Sequence, residues 1–208
     1  MGYWGTFIAA HSSRPFVELA AVRASVDRSA WHGAGSDGWQ VAQIYRGPEG
    51  WDSTSLPADW ERMLVAVMEQ TGNPVLAAVV MDSDGAQLIG YSPKAGRWGG
   101  WLMLDRIIGH IIPEAWPYVY EDENGEIQLD EGEDYQRRFR AAQERMHEVG
   151  PPAALAAPLA VQWATEAGFT PTVAAVQAVL DGREAFAEDL FFQLLEALGL
   201  PSFTRTES

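Results

Sequence analysis

Apolar positions along this chain switch repeatedly between a spacing of two and a spacing of three to four, and each switch marks an element. Gly2–Ala10, GYWGTFIAA, is rich in aromatic and β-branched residues and predicts a strand. From Ser12 the spacing lengthens. Phe16, Leu19 or Ala20, Val22 or Arg23, and Val26 recur at helical intervals, with Ser12 or Ser13 as N-cap and Pro15 in the first turn. WHGAGSDG, residues 31–38, holds three glycines and predicts a loop. Trp39–Arg46 alternates, with Trp39, Val41 and Tyr45 on one face, and predicts a second strand.

The clearest helix of the first half opens around Ser55, Leu56 and Pro57. Trp60, Met63, Leu64, Val67 and Met68 form its apolar stripe, and Asp59 and Glu61 sit near the positive end of its dipole. Gly72 and Pro74 end it. Two apolar runs then flank DSDG, and Asp-Gly between such runs predicts a hairpin. Arg97–Leu104 follows as a third antiparallel strand.

After Pro113 the helical period dominates. Tyr135, Phe139, Ala142, Met146 and Val149 share one helix face, ended by Gly150 before Pro151 and Pro152. Pro158–Ala167 predicts another helix, closed by Gly168. Thr170–Pro171 opens a third, with Val173, Val176 and Leu180 inward and Gly182 at its end. In the last, Phe186, Leu190, Phe191, Leu194, Leu195 and Leu198 point inward and Gly199 terminates. The pattern predicts an α+β fold with a mostly antiparallel sheet and helices over residues 1–112. An acidic β-hairpin and a helical region over 113–208 are expected to pack with it as one unit.

That hairpin is predicted from YVYEDENGEIQLD, because Asn-Gly between alternating residues is the strongest short-range hairpin signal. A two-residue loop at Asn124–Gly125 would place Glu123 opposite Glu126, Asp122 opposite Ile127, and Tyr120 opposite Leu129. Tyr118, Tyr120, Ile127 and Leu129 would then share one face, and Glu121, Glu123, Glu126 and Gln128 the other.

Charge sharpens the picture. Eight of the fourteen residues from Glu121 to Asp134 are acidic and none is basic. The net charge of −15 divides as −3 over residues 1–112 and −12 over residues 113–208. A field of that sign repels phosphate backbones and anionic lipid, so nucleic acid and membrane surfaces are excluded as expected partners and a basic protein is favoured. With 208 residues, 47% of them hydrophobic, the chain is long enough to bury a core. The absence of cysteine excludes disulfides and thiolate sites. Neither a signal peptide nor a spanning segment is legible, and a cytoplasmic location is expected. Thirteen arginines against the single Lys94, with an alanine-rich final third, point to a GC-rich bacterial gene.

Candidate chemistry is sparse. The four histidines, His11, His32, His110 and His147, show no H-E-x-x-H or close carboxylate spacing. A calcium loop starting at Asp82 would need a carboxylate at its twelfth position, where Pro93 stands. No metal and no cofactor is therefore expected. The most enzyme-like set is His11, Ser13, His32 and Asp37, displayed at a strand end and in the following glycine loop. Two readings result. One is a protein-binding module of antidote or inhibitor type that engages a basic partner through Tyr118, Tyr120, Glu121, Glu123 and Glu126. The alternative is a small-molecule hydrolase or ligand-binding protein using the region of His11 and His32.

Overall fold

The computed structural model describes residues 2–23, 28–45 and 58–206. Val26, Arg46, Ser55, Leu56 and Pro57, all invoked above, lie outside those residues. In chain order the strands are β1 (Gly5–His11), β2 (Arg28–Ala34), β3 (Trp39–Tyr45), β4 (Val75–Met81), β5 (Gly85–Ser92), β6 (Gly96–Leu102), β7 (Tyr118–Glu121), β8 (Ile127–Asp130) and β9 (Thr204–Thr206). The helices are α1 (Ala20–Arg23), α2 (Ala58–Thr71), α3 (Leu104–Ile111), α4 (Glu133–Val149), α5 (Ala153–Glu166), α6 (Val173–Leu180) and α7 (Ala187–Ala197). Seven strands form one antiparallel sheet in the order β6-β5-β4-β1-β3-β2-β9, and β7 and β8 pair separately. The class is α+β, as the pattern predicts.

Side chains alternate across each strand, so the sheet feeds two cores. Phe7, Ala9, Trp39, Val41, Leu76, Ala78 and Leu88 pack against Trp163 of α5, Val176 of α6 and Phe191 and Leu194 of α7. Ile8, Ala42, Ile44, Val75, Ala77, Val79 and Ile89 pack against Leu64 of α2, Ile107 and Ile108 of α3 and Met146 of α4. Helices on both faces explain why β4, VLAAVVM, is apolar and buried at every position instead of alternating. The fully buried Trp163 ties the layers together, its indole N–H donating to Val75 O at 3.1 Å and Tyr91 O at 3.0 Å. Among the described residues no helix is long and apolar enough to cross a membrane.

Several local expectations are corrected. The glycine-rich segment from Trp31 to Ala34 is not loop but the second half of β2, where Gly33 lies between Val41 of β3 and Arg205 of β9. Cross-strand pairing on both sides outweighs the loop preference of glycine. The expected helix after Ser12 is a 3₁₀ turn, Phe16–Glu18, followed by the short α1, with Glu18 N–H bonded to Pro15 O at 3.0 Å. That i→i+3 bond is the tighter helical turn. Helix α5 begins five residues before Pro158 and contains it. Pro158 faces solvent, where water can take over the carbonyl that loses its amide partner. Phe186 is not inward. It caps α7 in extended conformation and is 55% exposed.

Candidate functional site

The freestanding hairpin β7–β8 departs from the sequence expectation by one residue. Tyr118 pairs with Asp130, Val119 with Leu129, Tyr120 with Gln128 and Glu121 with Ile127. The cause is the turn. Gly125 N–H donates to Asp122 O at 3.0 Å and Asp122 N–H to Glu126 O at 2.9 Å, enclosing a three-residue loop, Glu123–Asn124–Gly125. Only Gly125, at φ 81°, enters the left-handed region, whereas a two-residue Asn-Gly turn would need both residues there. Asp122 selects this turn. Its Oδ1 accepts from the Asn124 and Glu126 amides at 2.9 and 3.0 Å, and its Oδ2 accepts from Gln128 Nε2 at 3.2 Å. The backbone bonds from Glu126 and Asn124, the dominant causes, hold the Asp122 carboxyl below its ordinary value of 3.8.

A slip of one residue exchanges the faces of a strand. Tyr118 and Tyr120 therefore share a face with Gln128 and Asp130, not with Ile127 and Leu129. Val119 and Glu121 join Ile127 and Leu129 on the other. Glu123 lies in the loop and Glu126 closes it opposite Asp122, so the two are not an opposed pair in the ladder.

The two faces differ in what they meet. Tyr118 lies under the Arg138 guanidinium of α4, 4.3 Å from its ring centroid. Arg138 also donates to Asp134 Oδ2 at 2.9 Å, to Trp116 O at 3.1 Å and to Glu114 O, clamping the base of the hairpin. On the opposite face Val119, Ile127 and Leu129 are 65, 76 and 55% exposed.

The acids between Glu121 and Asp134 divide by task. Asp122 builds the turn, and Asp130 accepts from Gly132 N–H at 2.9 Å. Asp134 holds Arg137 and Arg138 in the first turns of α4, where Glu133 and Asp134 also complement the helix dipole. Among the described residues no hydrogen bond or ion pair engages the side chains of Glu121, Glu123 and Glu126. They surround the aliphatic face with uncompensated charge.

The second candidate region lies at one end of the sheet. His11, Asp37, Trp39, Asn73, Ala167 and Phe169 line a cavity of about 460 Å³. The fold thus brings His11 and Asp37 to one cavity. Ser13 is exposed on the loop after β1 and is not among the lining residues. His32 sits on β2 in register with Ala42, a residue of the core opposite to the one that Phe7, Ala9 and Trp39 build.

No family model, curated protein or solved structure matches this chain. Function therefore rests on the chemistry of its own surfaces.

Sequence spacing missed two features. Val119 belongs to the exposed apolar face, because the three-residue turn shifts the register by one. The fold also gathers Asp82, Asp84 and His110, with ligand atoms within 4.8 Å of one another. His110 reaches that group from α3, edge-on to Trp4 and Trp116, with Nε2 3.9 Å from Asp84 Oδ2. Nothing in the local spacing announces a pairing across a turn and a separate helix.

Proposed function

We propose that this chain is a protein-binding module that docks a basic partner on the hairpin of residues 118–130. One observation carries the reading. Of the ten large hydrophobic residues exposed among the described residues, five, Tyr118, Val119, Tyr120, Ile127 and Leu129, fall within this hairpin, and a sixth, Trp116, stands just before it. Scattered exposed apolar residues are ordinary, but a concentrated group rimmed by charge marks an interaction surface. The exposure of these side chains supports a division of labour. Val119, Ile127 and Leu129 are the anchors that a partner would desolvate, and Glu121, Glu123 and Glu126 steer a basic surface toward them. The role of an antidote or inhibitor that covers a basic enzyme or toxin suits this chemistry. A second copy of the same chain suits it poorly, since pairing would oppose two groups of free carboxylates.

The test is affinity capture from lysate of the source cells at low and high salt, with three baits. These are the natural chain, the triple variant Glu121→Gln/Glu123→Gln/Glu126→Gln, and Ile127→Ser/Leu129→Ser. One basic protein should be retained by the natural chain at low salt and lost from both variants, with all three melting alike. Equal capture by all three baits would refute the assignment.

A further inference from the structure

The cavity beside His11 is separate from the hairpin and is built from five distant segments of the chain. His11 ends β1, Asp37 and Trp39 belong to the β2–β3 connection and β3, and Asn73 follows α2. Ala167 and Phe169 follow α5, and Gly199 and Pro201 follow α7. A volume of about 460 Å³ falls within the range of small-molecule sites. Convergence of loops at the end of a rigid sheet is where binding groups are commonly displayed.

Three details give the cavity a chemical preference. Asp37 supplies the one carboxylate among the described lining residues, and its backbone is held at φ 59°, ψ 27°. A non-glycine residue in that left-handed region is uncommon and is found disproportionately at ligand sites. His11 Nδ1 is buried with no hydrogen-bond partner and with essentially no surface open to the cavity, so through that atom His11 contributes wall and not a ligand contact. Its ring lies against the turn because residue 38 is glycine; a Cβ there would stand 3.0 Å from His11 Nε2. Of the remaining wall Asn73 is polar, and Trp39 and Phe169, with ring centroids 5.7 Å apart and planes inclined at 47°, form an aromatic side together with Ala167 and Pro201.

We infer that this cavity binds a small primary amine carrying a flat apolar body. The ammonium pairs with the exposed Asp37 carboxylate. The body packs on Phe169, Ala167 and Pro201. Net charge favours the same choice, because a chain at −15 concentrates cations around it and repels carboxylates and phosphates.

Benzylamine is the probe, with benzyl alcohol and benzoate as neutral and anionic counterparts of the same size. Titration followed by amide NMR should show benzylamine shifting the signals of His11, Asp37, Trp39 and Phe169. It should bind about fivefold more tightly than benzyl alcohol, the scale of one partly exposed ion pair, with benzoate weakest. Asp37→Asn keeps the side-chain shape and tolerates the left-handed backbone, and should bring benzylamine down to the level of the alcohol. Ala167→Leu, at a position with ordinary helical backbone, should weaken both by filling the cavity. The Glu121→Gln/Glu123→Gln/Glu126→Gln variant should bind benzylamine as the natural chain does, which separates this site from the hairpin. Equal affinity for amine and alcohol, no effect of Asp37→Asn, or shifts confined to the hairpin would each overturn the inference.

Discussion

Two hairpins in this molecule turn on nearly the same four letters, DSDG at residues 82–85 and DENG at residues 122–125, and fold differently. In the first, Asp82 and Ser83 both take left-handed conformations, at φ 53° and 59°, and Asp84 N–H closes the turn on Met81 O at 3.0 Å. In the second only Gly125 does so. Both loops hold three residues, 82–84 between Met81 and Gly85 and 123–125 between Asp122 and Glu126, but the first turn starts one letter earlier in the motif. Surroundings account for the difference. The β4–β5 turn continues two fully buried strands whose twist a double left-handed turn matches. It is also tied down, since Ser83 Oγ accepts from Tyr3 N–H and donates to Glu188, and Ser83 O accepts from Ala187 N–H. The β7–β8 turn has no such neighbours and is arranged by its own Asp122. One turn is dictated by the core and the other by a single side chain.

The sharpest way to break the comparison is to truncate one apolar residue in each hairpin. Leu88→Ala should destabilise the protein by about 2–5 kcal/mol, because a fully buried leucine leaves a cavity. Leu129→Ala should change stability by less than about 0.5 kcal/mol, as at other exposed positions. Denaturant unfolding of the two variants measures both. Next in size are the turn glycines. A Cβ on Gly85 would lie 2.8 Å from Leu102 O and 2.9 Å from Ile107 Cγ2, so Gly85→Ala should cost about 1–3 kcal/mol of global stability. At Gly125 a Cβ meets only Glu121 Oε1 at 3.4 Å, and the cost of alanine is the left-handed backbone, about 1–2 kcal/mol. That cost should fall on the hairpin alone, visible as faster amide exchange at residues 118–130 with an unchanged melting temperature.

Acid should separate the hairpins further. Because the folded pKa of Asp122 is depressed, its carboxylate stabilises the turn fully above the ordinary value of 3.8, and that contribution disappears as pH falls through the lower folded value. The Asn124 and Glu126 amide signals should shift together over that window. Asp122→Asn should abolish the transition. Smallest of all should be the effect of Glu121→Gln/Glu123→Gln/Glu126→Gln on melting, within about 0.5 kcal/mol, although the same change should slow association with a basic partner at low salt.

Much of this architecture was legible in the residues. The stripe of α2, the face of α4 and the glycine stops after α4, α5 and α7 follow from spacing and caps alone. Helix α3 was legible but passed over, with Leu104, Ile107, Ile108 and Ile111 all buried on one side. Strand β9 was not legible, because three residues, Thr204–Thr206, acquire their structure only by pairing with β2. The hairpin's existence was readable from Asn-Gly, but its register was not. Register depended on whether Asp122 or Asn124 organised the loop, and both residue types favour turns. The cavity at His11 was half readable, since a strand end and a glycine turn announced display, but only tertiary folding could bring Phe169 and Pro201 to the same place.

The clamp at Arg138 has a consequence for how any partner must approach. A two-stranded ribbon standing free in water would be bilateral, offering opposite sides to two visitors at once. With Tyr118 pinned beneath a guanidinium that also grips Trp116 O and Asp134, this ribbon has a back and a front. A visitor at the front meets aliphatic side chains, whereas one at the back meets Tyr118 and Tyr120, still 60 and 53% exposed, beside a fixed positive charge.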